Sequence, residues 1–108
     1  MSSTPCARFD VVLLPIPFTD LASRKVRPAV VVGRFPRTED LILVPITSQA
    51  HNIDVPLADW KQAGLNVPCG IKAQIATVEE RLVLRVLGRL SPGDQANFGS
   101  TLHSWLGL

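Results

Sequence analysis

A chain of 108 residues has room for one compact domain and little more. Hydrophobic residues make up 46% of it, which excludes a disordered chain. The formal net charge is only +2, so any electrostatic role rests on how the charges are placed.

The two cysteines, Cys6 and Cys69, match neither a zinc spacing nor a redox pair, which predicts reduced thiols in a cytosolic protein. A membrane span needs roughly 18 apolar residues, more than twice any run here. The stretch VVLLPIPF follows Asp10, holds two prolines and lacks a small-residue cleavage site. A cytoplasmic protein without membrane contact is expected.

In chain order, residues 1–8 read as a flexible polar tail and 9–108 as a single domain. FDVVLLPIP reads as a buried strand ended by prolines, and FTDLASRKV as a polar loop. RPAVVVG and DLILVPIT are two β-rich runs joined by a turn at Pro36 and Arg37. IDVPL is a short strand, and ADWKQAGL holds a helical turn stopped by Gly64. CGIKAQIATVE and RLVLRVLGRL each read as one strand, the second with Arg85 pointing outward. Ser91, Pro92 and Asp94 fit N-cap, first helical position and an acidic third position. Phe98, Leu102, Trp105 and Leu106 then share one helical face, with Gly99 a weak point inside it. Five or six short strands and one C-terminal helix predict a mainly β fold, a small bent barrel with a helix lid. Strands apolar on both faces predict a homodimer that covers the excess.

The charges concentrate in one place. Arg24, Lys25, Arg27, Arg34 and Arg37 lie within fourteen positions that hold no acid, a footprint suited to a polyanion or an acidic partner. Arg27 precedes Pro28, which restricts it to extended backbone at the mouth of a strand. If residues 28–33 pair antiparallel with 41–46, paired positions sum to about 74: Val30 meets Val44, Val32 meets Ile42 and Arg27 meets Thr47. A one-residue bulge would shift that register. Thr47, Ser48 and Gln49 supply hydroxyls and an amide suited to phosphate oxygens or base edges. The guanidinium beside them can grip a phosphate through two bonds.

The order DVVLLPIPFTD, KVRPAVVV, LILVPITSQ, IKAQIATVEERLV and LGRLSPGD resembles the MazF/PemK (Kid) family of type II toxins over residues 9–107. RPAVVV and PITSQ, about twenty residues apart, are the specific part. The resemblance implies an SH3-like barrel of the CcdB/Kid/MazF type and a homodimer. It also implies sequence-selective cleavage of single-stranded RNA without metal or cofactor, and a cognate antitoxin. It makes Arg27 and Thr47 the catalytic residues. Arg24, Lys25, Ser48, Gln49, His51 and Lys72 are the candidate RNA-binding residues. An acidic antitoxin segment across the patch from Arg24 to Arg37 is the expected neutralising contact.

The chain departs from the family pattern at several points. Phe9-Asp10 stands where the usual opening is Gly-Asp. Ile71 and Ala73 stand where Kid-type members carry an arginine and an aspartate, with Lys72 between them. Ala22 lies near an acidic position of certain members. The general base is therefore unassigned, with His51 a chemical candidate and His103 a structural or exposed residue of the helix. Two alternatives remain open. SWLGL, with Trp105 near the chain end, resembles CcdB-like gyrase-binding toxins. A family member that binds RNA or antitoxin without cutting would fit Ala73.

Overall fold

The computed structural model describes residues 5–16 and 25–108; Arg24 and Ala22 lie outside them. Seven strands run in chain order: β1 (Asp10–Pro15), β2 (Val26–Arg34), β3 (Leu41–Thr47), β4 (Val55–Pro56), β5 (Gly70–Ile71), β6 (Ala76–Val78) and β7 (Arg85–Arg89). One helix, α1 (Pro92–Trp105), closes the chain. Every strand pairing is antiparallel. The sheet order is β4-β5-β3-β2-β1-β7, with β6 also on β3. The expected fold class, mainly β with a C-terminal helix, is what the chain forms.

The alternating side chains of the central strands feed two separate cores, as a strand's period of two requires. Val11, Val30, Val44 and Ile46 point to one face, where Phe98 and Leu102 of α1 and the segment around Ala63 and Leu65 cover them. Val12, Leu14, Ala29, Val31, Leu41 and Leu43 point to the other, covered by Val78, Leu82, Val83 and Cys6. Both apolar faces of the sheet are thus buried within one chain, and they do not need a partner to cover them. Among the large apolar side chains left exposed are Leu84 at 64%, just before the outer strand β7, and Val86 at 51% on it.

The register sum of 74 holds for Ala29↔Pro45, Val30↔Val44 and Val31↔Leu43. A bulge then makes Gly33, rather than Val32, the partner of Ile42. The run from Cys69 to Glu79 is two strands, not one. β5 pairs with the end of β3 and β6 with its beginning. The chain bends between them, where Gln74 N–H donates to the Lys72 carbonyl (2.8 Å) and Ala73 N–H to the Asp54 carboxylate (2.7 Å). Likewise RLVLRVLGRL opens inside a 3-10 turn, Glu80–Leu82, before β7 begins.

Helix α1 starts as expected. Ser91 is the N-cap, its hydroxyl accepting from Asp94 N–H at 3.2 Å, and Pro92 follows. Asp94 does more than complement the helix dipole. It is only 5% exposed, and its two carboxylate oxygens accept from the N–H groups of Ala58 (3.1 Å) and Asp59 (2.9 Å). The turn at 58–64 is thereby tied to the helix N-terminus. The apolar face is shorter than its spacing predicts. Phe98 and Leu102 are buried, but Trp105 is 38% and Leu106 52% exposed. Trp105 meets Phe98 edge-on at 6.2 Å.

Cys6 is held against the sheet by hydrogen bonds. Cys6 N–H donates to Glu80 (2.8 Å), and Arg34 donates to the Cys6 carbonyl (3.0 Å) while pairing with both Glu80 oxygens (2.9 and 2.8 Å). The Arg34 hydrogen bonds, helped by the Cys6 N–H, hold the Glu80 carboxyl pKa down to about 2 against the effect of burial. Burial, reinforced by Glu80, pushes the Cys6 thiol up to about 11. Next to this clamp, Phe9 has φ +74°, a left-handed backbone that is a true outlier for a bulky residue. Glycine adopts it freely, so Phe9 keeps the backbone of the glycine expected at this place. Hydrogen bonds from Phe9 N–H to the Val31 carbonyl and from Leu90 N–H to the Phe9 carbonyl hold it there. Its ring packs against the helix beside Gly99.

Candidate active site

Two prolines shape the site. Pro28 in β2 and Pro45 in β3 lack N–H donors. The β2–β3 ladder ends at Ala29↔Pro45 and does not extend to the next facing residues. Each of those residues is held by its other neighbour instead. Arg27 pairs with Leu14 of β1, and Thr47 pairs with Gly70 of β5. The strand ends are therefore fixed without being joined, and Arg27 and Thr47 line a common cavity of about 270 Å³. The expected meeting of these two residues at one end of the sheet is what the fold produces.

Lys72, Gln74, Gln49 and Asn52 complete the polar wall. The Thr47 hydroxyl oxygen accepts from Gln49 N–H at 3.1 Å, which leaves its O–H to donate to a ligand. The Gln49 side-chain carbonyl accepts from the Asn52 amide at 2.8 Å. Lys72 N–H donates to the Pro45 carbonyl (3.0 Å), which brings the second cation to the mouth of β3. Arg27 itself is exposed, so its charge faces solvent and ligand rather than the core.

A second cavity, of about 410 Å³, is lined by the same two residues. It contains Arg27, Ile46, Thr47 and Gln49 again, now with Ser48 and a more apolar lining that includes Val26, Leu65, Val67 and Leu87.

The remaining candidates fall elsewhere. Lys25 is exposed before β2, and His51 is exposed in the 3-10 turn Ala50–Asn52; neither lines the two cavities. Arg34 is spent on Glu80, so the basic patch does not act as one free surface. Ile71 is fully buried and Ala73 exposed, which leaves Lys72 as the cation of that segment in the cavity. Sequence reasoning missed Asn52 and Gln74. Among the described residues, no carboxylate or imidazole lines either cavity.

The family of PemK-like, MazF-like toxins of type II toxin-antitoxin systems has a model that matches residues 7–106. The chain belongs to that family. As a type II toxin it implies an antitoxin partner. No curated protein matches the toxin chain. No helix among the toxin's described residues is long and apolar enough to cross a membrane.

Proposed function

We propose that this toxin is an endoribonuclease that cuts single-stranded RNA at selected sequences by internal transesterification, in the cytoplasm where messenger RNA is found. The convergence of Arg27 and Thr47, with Lys72 beside them, on one cleft carries the reading. In the reaction, the ribose 2′-oxygen forms a bond to phosphorus as the bond from phosphorus to the 5′-oxygen breaks. The 2′ proton passes to solvent water, and the departing 5′-oxygen takes up a proton. Arg27 grips the non-bridging oxygens through its planar fork and stabilises the charge that grows on them. The Thr47 hydroxyl donates to one of the same oxygens. The Lys72 ammonium is the group that can protonate the departing oxygen. Arg27, Thr47 and Lys72 act by charge and positioning at the reacting phosphate.

Purified toxin incubated with a mixed RNA should leave 2′,3′-cyclic phosphate and 5′-hydroxyl ends, read by enzymatic end-labelling. Products with 5′-phosphate ends would point to attack by water and sink the mechanism.

The homodimer belongs to the same reading. Among the described residues the outer strand β7 pairs only with β1, and Val86 on it and Leu84 just before it face solvent. An exposed apolar edge of this kind is a ready template for a second copy. Sedimentation at micromolar concentration should give twice the chain mass of 11.7 kDa. A single 11.7 kDa species there would count against it.

A further inference from the structure

Arg27 and Thr47 do not sit at the bottom of one pocket. They are shared by two cavities of different lining, both of which contain Arg27, Ile46, Thr47 and Gln49. A strand of RNA whose phosphate rests on these shared residues can place one flanking nucleotide in each cavity. This inference rests on the ribonuclease reading. We propose that the two flanking bases are read by different physics: one by the amides of Gln49, Asn52 and Gln74, the other chiefly by stacking on the hydrocarbon of Val26, Leu65, Val67 and Leu87.

On the polar side two of the amides are arranged in advance. The Gln49 carbonyl is occupied by the Asn52 amide nitrogen, so Gln49 offers its nitrogen as donor and Asn52 its oxygen as acceptor. The Gln74 backbone is placed by its N–H on the Lys72 carbonyl, next to the Ala73 N–H held by Asp54, and its side chain lines the cavity. Unstacked bases of single-stranded RNA are recognised on their edges by such donors and acceptors. A base that cannot match them leaves the amides unpaired, which is how hydrogen-bonding sites reject strongly.

In the second cavity Val26, Leu65, Val67 and Leu87 present hydrocarbon beside the polar Ser48, Asn66 and Arg85. Val26 and Val67 are 44% and 50% exposed, apolar surface that a flat base would cover. Every base has such a face, so this contact adds affinity with little discrimination. The wall is rigid. Its turn is tied to α1 through Asp94 and lies directly against the backbone of β7 at Gly64 and Gly88.

The test is a cleavage profile over a randomised RNA library, sequenced from its 5′-hydroxyl ends, for wild type, Gln74→Met and Val67→Ser. Gln74→Met removes the amide at similar volume. It should flatten the preference at one nucleotide beside the cut by roughly ten- to hundredfold and leave the opposite side unchanged. Val67→Ser should raise KM roughly fivefold on all sequences and leave the preference on the amide side intact. Thermal melting checks that both variants fold, and Gln74→Glu serves if Gln74→Met does not. Cleavage by wild type with unchanged preference in the Gln74 variant, or with both sides relaxed together, overturns the two-subsite inference alone. No cleavage by wild type in any RNA overturns the ribonuclease reading and this inference with it.

Discussion

Arg27→Ala should lower kcat/KM for RNA by about 10²–10³ and leave the melting temperature close to that of wild type. The rate loss follows from removing a fixed positive group where charge grows on the non-bridging phosphate oxygens, which typically costs about 3–4 kcal/mol at the transition state. The stability should persist because the Arg27 side chain is exposed, while its backbone stays paired with Leu14. Arg27→Lys should recover little of the rate. Lysine keeps the charge and loses the planar fork that can hold two oxygens at once. Thr47→Val, close in shape, isolates the hydroxyl, whose oxygen already accepts from Gln49 N–H. A smaller loss than that of Arg27→Ala is expected, because one neutral donor is removed rather than a charge. Full activity in Arg27→Ala would remove this arginine from the mechanism, whatever the products are.

Gly64→Ala should cost about 3–4 kcal/mol of folding stability. Two independent terms combine. Gly64 has φ +89°, a backbone that costs an alanine about 1–2 kcal/mol. An added Cβ would also lie 2.1 Å from the Leu87 carbonyl oxygen, a backbone atom of β7 that cannot swing aside. The turn at 58–64 must then lift off the sheet. Gly88→Ala strikes the same contact from the opposite side, its Cβ 2.6 Å from the Ala63 carbonyl oxygen. The double variant should therefore cost less than the two single losses added together, since one contact is broken twice. Gly93→Ala is the control. Nothing lies within 4 Å of a Cβ there, so stability should hold or rise by up to about 1 kcal/mol. Urea denaturation decides it. A Gly64→Ala midpoint equal to that of wild type would show that the close approach of turn and strand is not needed.

The meeting of Arg27 and Thr47 was legible because it depends on local rules. Proline sets the strand mouths, and a tight turn sets the register between neighbouring strands. The bulge at Val32 lies beyond the last pair needed for that inference, so it shifts Ile42 and spares the site. Asn52 and Gln74 were not legible. Each reaches the cavity because a bend places it there. The bend at Ala73 is held by Asp54, nineteen residues earlier in the chain. A still longer separation hid the clamp at Cys6, where Arg34 meets Glu80 forty-six residues away. Five closely spaced cations suggested one polyanion surface, but Arg34 is already neutralised by its partner. Helical spacing placed Trp105 and Leu106 on the buried face. The helix outruns the sheet beneath it, and both remain partly exposed. Phe9 shows the opposite case. A side chain that looks wrong for its place keeps the left-handed backbone, and its ring gains packing against α1.

The most direct measurement uses two versions of one short RNA that the wild-type toxin cuts at a single position. One is all ribose, and the other carries a 2′-deoxy sugar only at the nucleotide before the cut. If the 2′-oxygen is the nucleophile, the first is cleaved to a 2′,3′-cyclic phosphate and the second stays whole, although both bind and compete equally. Cleavage of the deoxy-substituted strand at the same position and rate would contradict the account, because the bond it requires could not have formed.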